Sequence, residues 1–561
     1  MRSRYVIGAF TSIAFFAFAA PAWASDPAMP PSIPDTTDNR YFYDLWFGDT
    51  PAMWSPQGTI VADSGFRSYP NGFPYANYGG TLTENAVFFG TPDGPAQGAT
   101  SQMMRNLYGD GVCVTTSGTA PDGPCDLTPS AEYLAQYATQ EAAGGHCYGF
   151  AAVAAGVFSG LLDPADVAAQ TLPSQSQLTD ATQELFLRNW AAQFTVDNSA
   201  LASLTPAQVV QTLRDELSEG VQPYVLSIFG DVDGNPEGHA ITPIAVHDRG
   251  NGLFDIAVYD NNFPNKTRAV HVDAVANTWA YEMFTNPEGQ PTIISGDAQT
   301  LTLNITPVEQ ILATQPCPAC VGGADGNLVF VDPIPVTSGS LQYRLLETDL
   351  SAPLPTADYV TLPPFTPINN ELQPQPAFDV APRSGFGFVV DGSTLTESIA
   401  LSLSDVSANG VKDVYQPNFP AGAVAAAVFD DGGAFTFGAD VPTKPRMDRA
   451  LSENARHYAL VVYGGETVAA DNSRYIVMDR ENGRALFGDS DALGGSMTVT
   501  ATLERGNVDR KFRATQVSYP TGGNLVLLYG DWRLANQKPQ LWIDNEGDGT
   551  LDTQVTMRKV R

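Results

Sequence analysis

The chain has 561 residues, too many for one hydrophobic core, and its length predicts two to four domains. Its 61 acidic residues against 29 basic ones give a formal charge of -32, a field that repels phosphate backbones and argues against nucleic acid as a partner. Otherwise this charge speaks of solubility in a salty or calcium-containing medium, not of chemistry.

In chain order, Arg2 and Arg4 precede an apolar run from Tyr5 to about Ala20, and Ala22-Trp23-Ala24 supplies an A-x-A cleavage site. Residues 1–24 therefore read as a secretory signal peptide. No other stretch approaches the roughly 18 uninterrupted apolar residues of a spanning helix. The mature chain is thus expected to be soluble, without a membrane span, and secreted or periplasmic. Residues 25–130 form a Pro-rich leader to about Thr37, then loop-rich, aromatic pieces such as GFRSYPNGFPYANYGG, expected to pack on the domain that follows or to act as a pro-segment.

AEYLAQYATQEAA, at 131–143, has helical spacing that Gly144-Gly145 breaks. CYGFAAVAAGVFSGLL then runs without a charge to Asp163-Pro164, which predicts a helix buried on all sides with Cys147 at its N-terminus. LTDATQELFLRNWAAQF is a third helix. TPAQVVQTLRDELSEG is a fourth, with Thr205 as cap, Pro206 in the first turn, Gln208 completing a capping box and Gly220 as the stop. From Gln222 the period becomes that of strands: QPYVLSIFG, HAITPIAVHD, LFDIAVYD and TRAVHVD. Helices followed by an antiparallel sheet give an α+β domain over 131–320. GGADG at 322–326 marks a boundary, and 325–561 alternates short β-rich runs with Gly/Asp/Asn turns, predicting one or two sandwich modules.

Five cysteines in an oxidising compartment leave one over. Cys113 and Cys125 flank a polar Gly/Pro loop that a disulfide can close, and Cys317 and Cys320 form CPAC; pairing these four isolates Cys147 in GGHCYGFA. A thiol turns nucleophilic when a helix N-terminus or a nearby imidazolium stabilises its ionised form. The preceding glycines let backbone N–H groups approach a reacting carbonyl. His239, in EGHAITPIAV, heads a predicted strand directly after the turn DVDGNPEG, and the next strand ends in VYDNN, so Asp260 or Asn261 can hold its imidazole in one tautomer.

GGHCYGFA resembles the nucleophile segment of papain-like cysteine peptidases, a Gly-rich turn, Cys, an aromatic, a small residue, Phe and a small residue. GHAITPIAV resembles that family's histidine strand, and IAVYDNN falls where its orienting Asn sits. The resemblance covers residues 131–285 and implies a papain-like domain in which Cys147 is the nucleophile, His239 the general base and acid, and Asp260 the orienter. Three positions depart from the pattern. Glu141 stands where the family has an oxyanion-hole Gln, with Gln140 one residue upstream; Asp260 replaces the orienting Asn, with Asn261 next to it; and His146 replaces the Cys that anchors the turn by a disulfide. Similar GHCYG and GHA…YDNN blocks ahead of β-domains also resemble those of large secreted bacterial proteins.

The reading that follows is a secreted cysteine hydrolase, a peptidase by preference, with a protein or peptide substrate and a β-rich half for cell-surface or polysaccharide contact. The same triad serves acyl transfer of the transglutaminase or amidase kind, and a surface binding protein with a vestigial triad is the non-enzymatic alternative. His146 is expected to point away from the site, and His247, His271 and His457 to be exposed. Asp544, Glu546, Asp548 and Asp552 alternate as the oxygen ligands of a calcium loop do, with Gly549 at the bend but Val555 where a bidentate Glu belongs. A structural calcium there is the one cofactor the sequence suggests; an acidic β-turn is the plain alternative. CPAC has no second Cys or His pair at zinc spacing, and no phosphate-cradling loop or Ser-centred elbow occurs.

Overall fold

The computed structural model describes residues 54–560 apart from internal stretches, of which 83–94, 115–122, 321–326, 335–340 and 366–374 are the longest. The expected signal peptide, the Pro-rich leader and the 322–326 boundary lie outside the described residues. The architecture is α+β in front and β-rich behind.

The helices of the front part are α1 (Ser101–Tyr108), α2 (Pro129–Glu141), α3 (Cys147–Phe158), α4 (Asp180–Ala191) and α5 (Pro206–Glu216). The last has the expected capping box between Thr205 and Gln208. The charge-free α3 is buried at every position from Cys147 to Val157, as a helix apolar all round must be. Its Gly149 permits close approach to α4, since a Cβ there would lie 2.0 Å from the Phe186 carbonyl oxygen. Gly149→Ala is therefore expected to destabilise the fold by about 3 kcal/mol; an unchanged thermal midpoint would contradict this packing.

The strands of the front part are β1 (Thr59–Asp63), β2 (Tyr224–Val232), β3 (Asn235–Gly250), β4 (Leu253–Tyr259), β5 (Thr267–Asp273), β6 (Thr278–Thr285), β7 (Pro291–Asp297) and β8 (Leu303–Pro307). They form an antiparallel sheet in the order β7-β6-β5-β4-β3-β2-β8, and β1 also pairs with β3. DVDGNPEG is not the free turn expected before His239. Its ends continue the β2–β3 ladder as far as Val232 opposite Asn235, so His239 lies inside a strand, opposite Ile228. β3 also changes partner: Asn235–Ile241 pair with β2, and Thr242 onward pairs with β4. Just past the end of β4, Asp260 and Asn261 therefore come alongside the stretch that holds His239.

Aromatic residues between Phe66 and Tyr78 close over α3. Phe66, Phe73, Tyr75 and Tyr78 form one cluster with Phe150, Val153 and Phe186, and the Phe150 and Phe186 rings stack at 4.0 Å. Helix α1 departs from the loops and short strands expected there; Thr100 caps it and Met103, Met104 and Leu107 are buried.

Behind the α+β part, among the described residues, antiparallel sheets of nine and ten strands run from Gln342–Leu346 to Thr553–Val555 and from Tyr359–Phe365 to Arg558–Lys559. Both feed one hydrophobic cluster among the described residues. The front part also packs against these sheets. The Tyr137 ring of α2 lies tilted 4.2 Å from that of Phe330, Ser130 donates to the Ser407 carbonyl at 2.6 Å, and Leu328, Phe330, Val406 and Val411 belong to the front core. No helix among the described residues is long and apolar enough to cross a membrane.

Candidate active site

Gly145 turns the chain into α3 with φ near +151, a conformation open to glycine, and a side chain there would meet the Asn77 amide nitrogen at 2.9 Å. Cys147 then opens the helix, 8% exposed and the one free cysteine among the described residues. The other four form the disulfides Cys113–Cys125 and Cys317–Cys320.

His239 is almost fully buried, and its Nε2 meets Asp260 Oδ1 at 2.7 Å. Its Nδ1 has no well-formed hydrogen bond, yet the Cys147 thiol is near enough to act on the ring both as a hydrogen-bond partner and as a charge. The two side chains are neighbours without a complete bond between them. Burial alone would lower the proton affinity of His239, but the Asp260 carboxylate, and after it Cys147, outweigh burial and raise it to about 9.

Asp260 is fully buried and held by four donors. Oδ1 accepts from His239 and from the Asn262 amide at 2.8 Å; Oδ2 accepts from Arg268 Nη1 at 3.0 Å and from the Tyr281 hydroxyl. Burial opposes its charge, but His239 and Arg268 overcome it and hold the carboxyl well below the usual carboxylate range.

The sequence left Asp260 and Asn261 both open as the imidazole's partner. Asp260 takes the ring, whereas Asn261 donates its amide to the Cys147 carbonyl at 3.1 Å and the Ala240 carbonyl at 2.8 Å, stapling the start of α3 to β3. Gln140 is an exposed residue of the last turn of α2. A second side-chain amide on the nucleophile turn, beside that of Asn261, is Asn77, which no local motif marks. It accepts from the His146 amide at 2.7 Å and donates to Asn262 Oδ1 at 3.1 Å, while its own backbone N–H donates to the Asn261 carbonyl at 2.8 Å.

His146 points away from the site. Its Nδ1–H donates to the Tyr78 carbonyl at 2.8 Å, its ring lies 4.6 Å from that of Tyr78, and burial pushes its proton affinity down to about 4 against that hydrogen bond. Contrary to the expected exposure, His457 is buried and His247 half-buried, and His271 contacts the fully buried Asp255 at 2.6 Å beneath the Trp54 ring. The reason is the same for the three: they sit on strands of wide sheets whose faces are covered.

These buried rings set a pH dependence. The raised affinity of His239 stabilises the fold below the ordinary histidine value of about 6.5, and that contribution is lost as pH rises toward about 9. The affinities of His146 and His457, lowered by burial, act oppositely and cost stability as pH falls from about 6.5 toward about 4. Urea unfolding midpoints are therefore expected to peak near about pH 6.5; a flat profile across this range would contradict the assignments.

The acidic loop at 544–552 folds as a turn bonded to itself. Asp544 accepts from the amides of Gly547 and Gly549 at 2.8 Å, Asp548 from that of Thr550 at 2.8 Å and Asp552 from that of Asn545 at 2.7 Å, while Glu546 is exposed. Among the described residues no three or more His, Cys, Asp or Glu side chains converge as a metal cluster. The carboxylates of Asp544, Asp548 and Asp552 are thus engaged by backbone amides of their own turn.

Chemically, the site joins a thiol at a helix start, an imidazole beside it and a buried carboxylate that holds the far side of the ring. Comparison of the chain with protein-family models, with curated proteins and with solved structures finds no match in any of the three.

Proposed function

We propose that the chain is a secreted, papain-like cysteine hydrolase that cleaves amide bonds of peptides through Cys147, His239 and Asp260. The observation that carries this reading is the imidazole of His239, pinned by Asp260 at 2.7 Å through Nε2 and left with Nδ1 for the one free thiol. With the proton already on His239 Nδ1, Cys147 Sγ attacks the amide carbonyl carbon as the thiolate; the imidazolium gives that proton to the departing amine, leaving a thioester. Water, deprotonated by the same nitrogen, then attacks the thioester and releases the acid. The backbone N–H groups at the start of α3 face developing negative charge at the carbonyl oxygen.

A second reading, acyl transfer, is favoured by the shelter of the thiol, only 8% exposed. A thioester kept from bulk water leaves more time for an amine to attack. Incubation of the full chain with a mixed peptide substrate, with and without hydroxylamine, separates the two. New free carboxyl termini support hydrolysis, hydroxamates alone support transfer, and no product of either kind contradicts the enzymatic reading.

A further inference from the structure

We propose that Arg268 is a positioning residue of this site: it anchors the far oxygen of Asp260 and offsets its charge, so that Asp260 and Arg268 act as one electrically neutral orienter of His239. This rests on the reading of Cys147 and His239 given above.

In the reactive state the thiolate and the Asp260 carboxylate bring two negative charges into a buried space, and the imidazolium returns one positive charge. The remaining negative charge has no access to water, since His239 and Asp260 are each 1% exposed at the side chain. Burying an uncompensated charge is costly. Arg268, also 1% exposed, supplies the missing positive charge 3.0 Å from Asp260 Oδ2, and arginine does not give up its proton in a protein.

Its placement is built, not incidental. Nη1 also donates to the Met283 carbonyl at 3.0 Å and Nη2 to the Glu282 carbonyl, while the guanidinium lies between the rings of Phe263, at 4.4 Å, and Tyr281, at 4.8 Å. β5, β6 and the loop after β4 thus jointly fix the fork. With Oδ2 taken by Arg268 and Tyr281, Oδ1 is the oxygen left to face Nε2 of His239. The charged and titratable groups around the pair are Cys147 on the far side of the ring, Arg268 and Tyr281 at the carboxylate, and behind them the buried Glu282, whose carboxylate accepts from the Trp54 amide at 3.3 Å.

The test follows the His239 ring by NMR in the full mature chain labelled at histidine, its signal assigned by its loss in His239→Gln. Removing the cation in Arg268→Gln is expected to move the His239 titration upward by about one pH unit, while Arg268→Lys keeps it near the wild-type position. A folded Arg268→Gln protein with an unmoved His239 titration overturns the proposal, because an arginine that only ties carbonyls together would leave the ring's proton affinity alone. If Arg268→Gln does not fold, the double variant Asp260→Asn with Arg268→Gln removes both charges together. It is expected to fold and to return His239 to or below the ordinary histidine range; failure to fold, or an unshifted titration, overturns the proposal. The NMR measurement reads the resting protein, so absence of turnover would sink the hydrolase reading and leave this result standing.

Discussion

Cys147→Ala is expected to lower turnover by about 10⁴-fold or more while leaving the unfolding midpoint close to that of the native chain. Nucleophile and base act as a unit, so loss of either removes nearly the whole covalent pathway and leaves only binding and backbone polarisation. The fold should hardly notice. The thiol takes part in no disulfide, the residue sits at a helix end that Asn261 secures through the backbone carbonyl, and alanine favours the helix. Full turnover in this variant would end the assignment of Cys147 as nucleophile, and a collapse of stability would mean that the sulfur is core filling.

Asp260→Ala has the opposite profile, and its main effect is on stability. It leaves the guanidinium of Arg268 and the imidazole of His239 buried without their counter-charge and orphans the Tyr281 hydroxyl. Removing one partner of a buried ion pair costs about 3–5 kcal/mol, so the denaturant midpoint should fall sharply. Asp260→Asn keeps an acceptor for His239 but not the charge that Arg268 requires, and its loss should fall between. A loss below about 1 kcal/mol for Asp260→Ala, the scale of an exposed pair, would show that water reaches the cluster.

Much of the fold near the site was legible because it is written in short-range patterns. The charge-free run after Cys147 demands burial, Thr205 and Gln208 announce a helix start, and the strand Thr267–Asp273 coincides with the run TRAVHVD. Cys147 stood out by cysteine arithmetic, and His239 and Asp260 by their places along successive strands. What was not legible depends on register and on contacts distant in sequence. Arg268 and Tyr281 look like ordinary strand residues, and only the pairing of β4 with β5 and the reach of β6 carry their side chains to one carboxylate. Asn77 reaches the nucleophile turn from 69 residues upstream without a motif around it.

The acidic loop supports two readings for a different reason. Alternating Asp residues whose oxygens accept the amides of a tight turn have the same spacing as residues that surround a cation, and only coordinates tell which donors fill the lone pairs. The docking of α2 on Phe330 was equally hidden, since its Tyr133 and Tyr137 fit any apolar partner.

Catalysis by this site requires that Cys147 and His239 be adjacent, and the rate at which iodoacetamide alkylates Cys147 as a function of pH probes that adjacency most directly. An imidazolium beside the sulfur predicts rapid labelling already at about pH 6, with the rate falling about tenfold or more in His239→Gln because that positive neighbour is gone. Labelling that is negligible below about pH 7 and rises in the same way in native and His239→Gln chains would show a thiol that the ring does not influence, and would contradict the site.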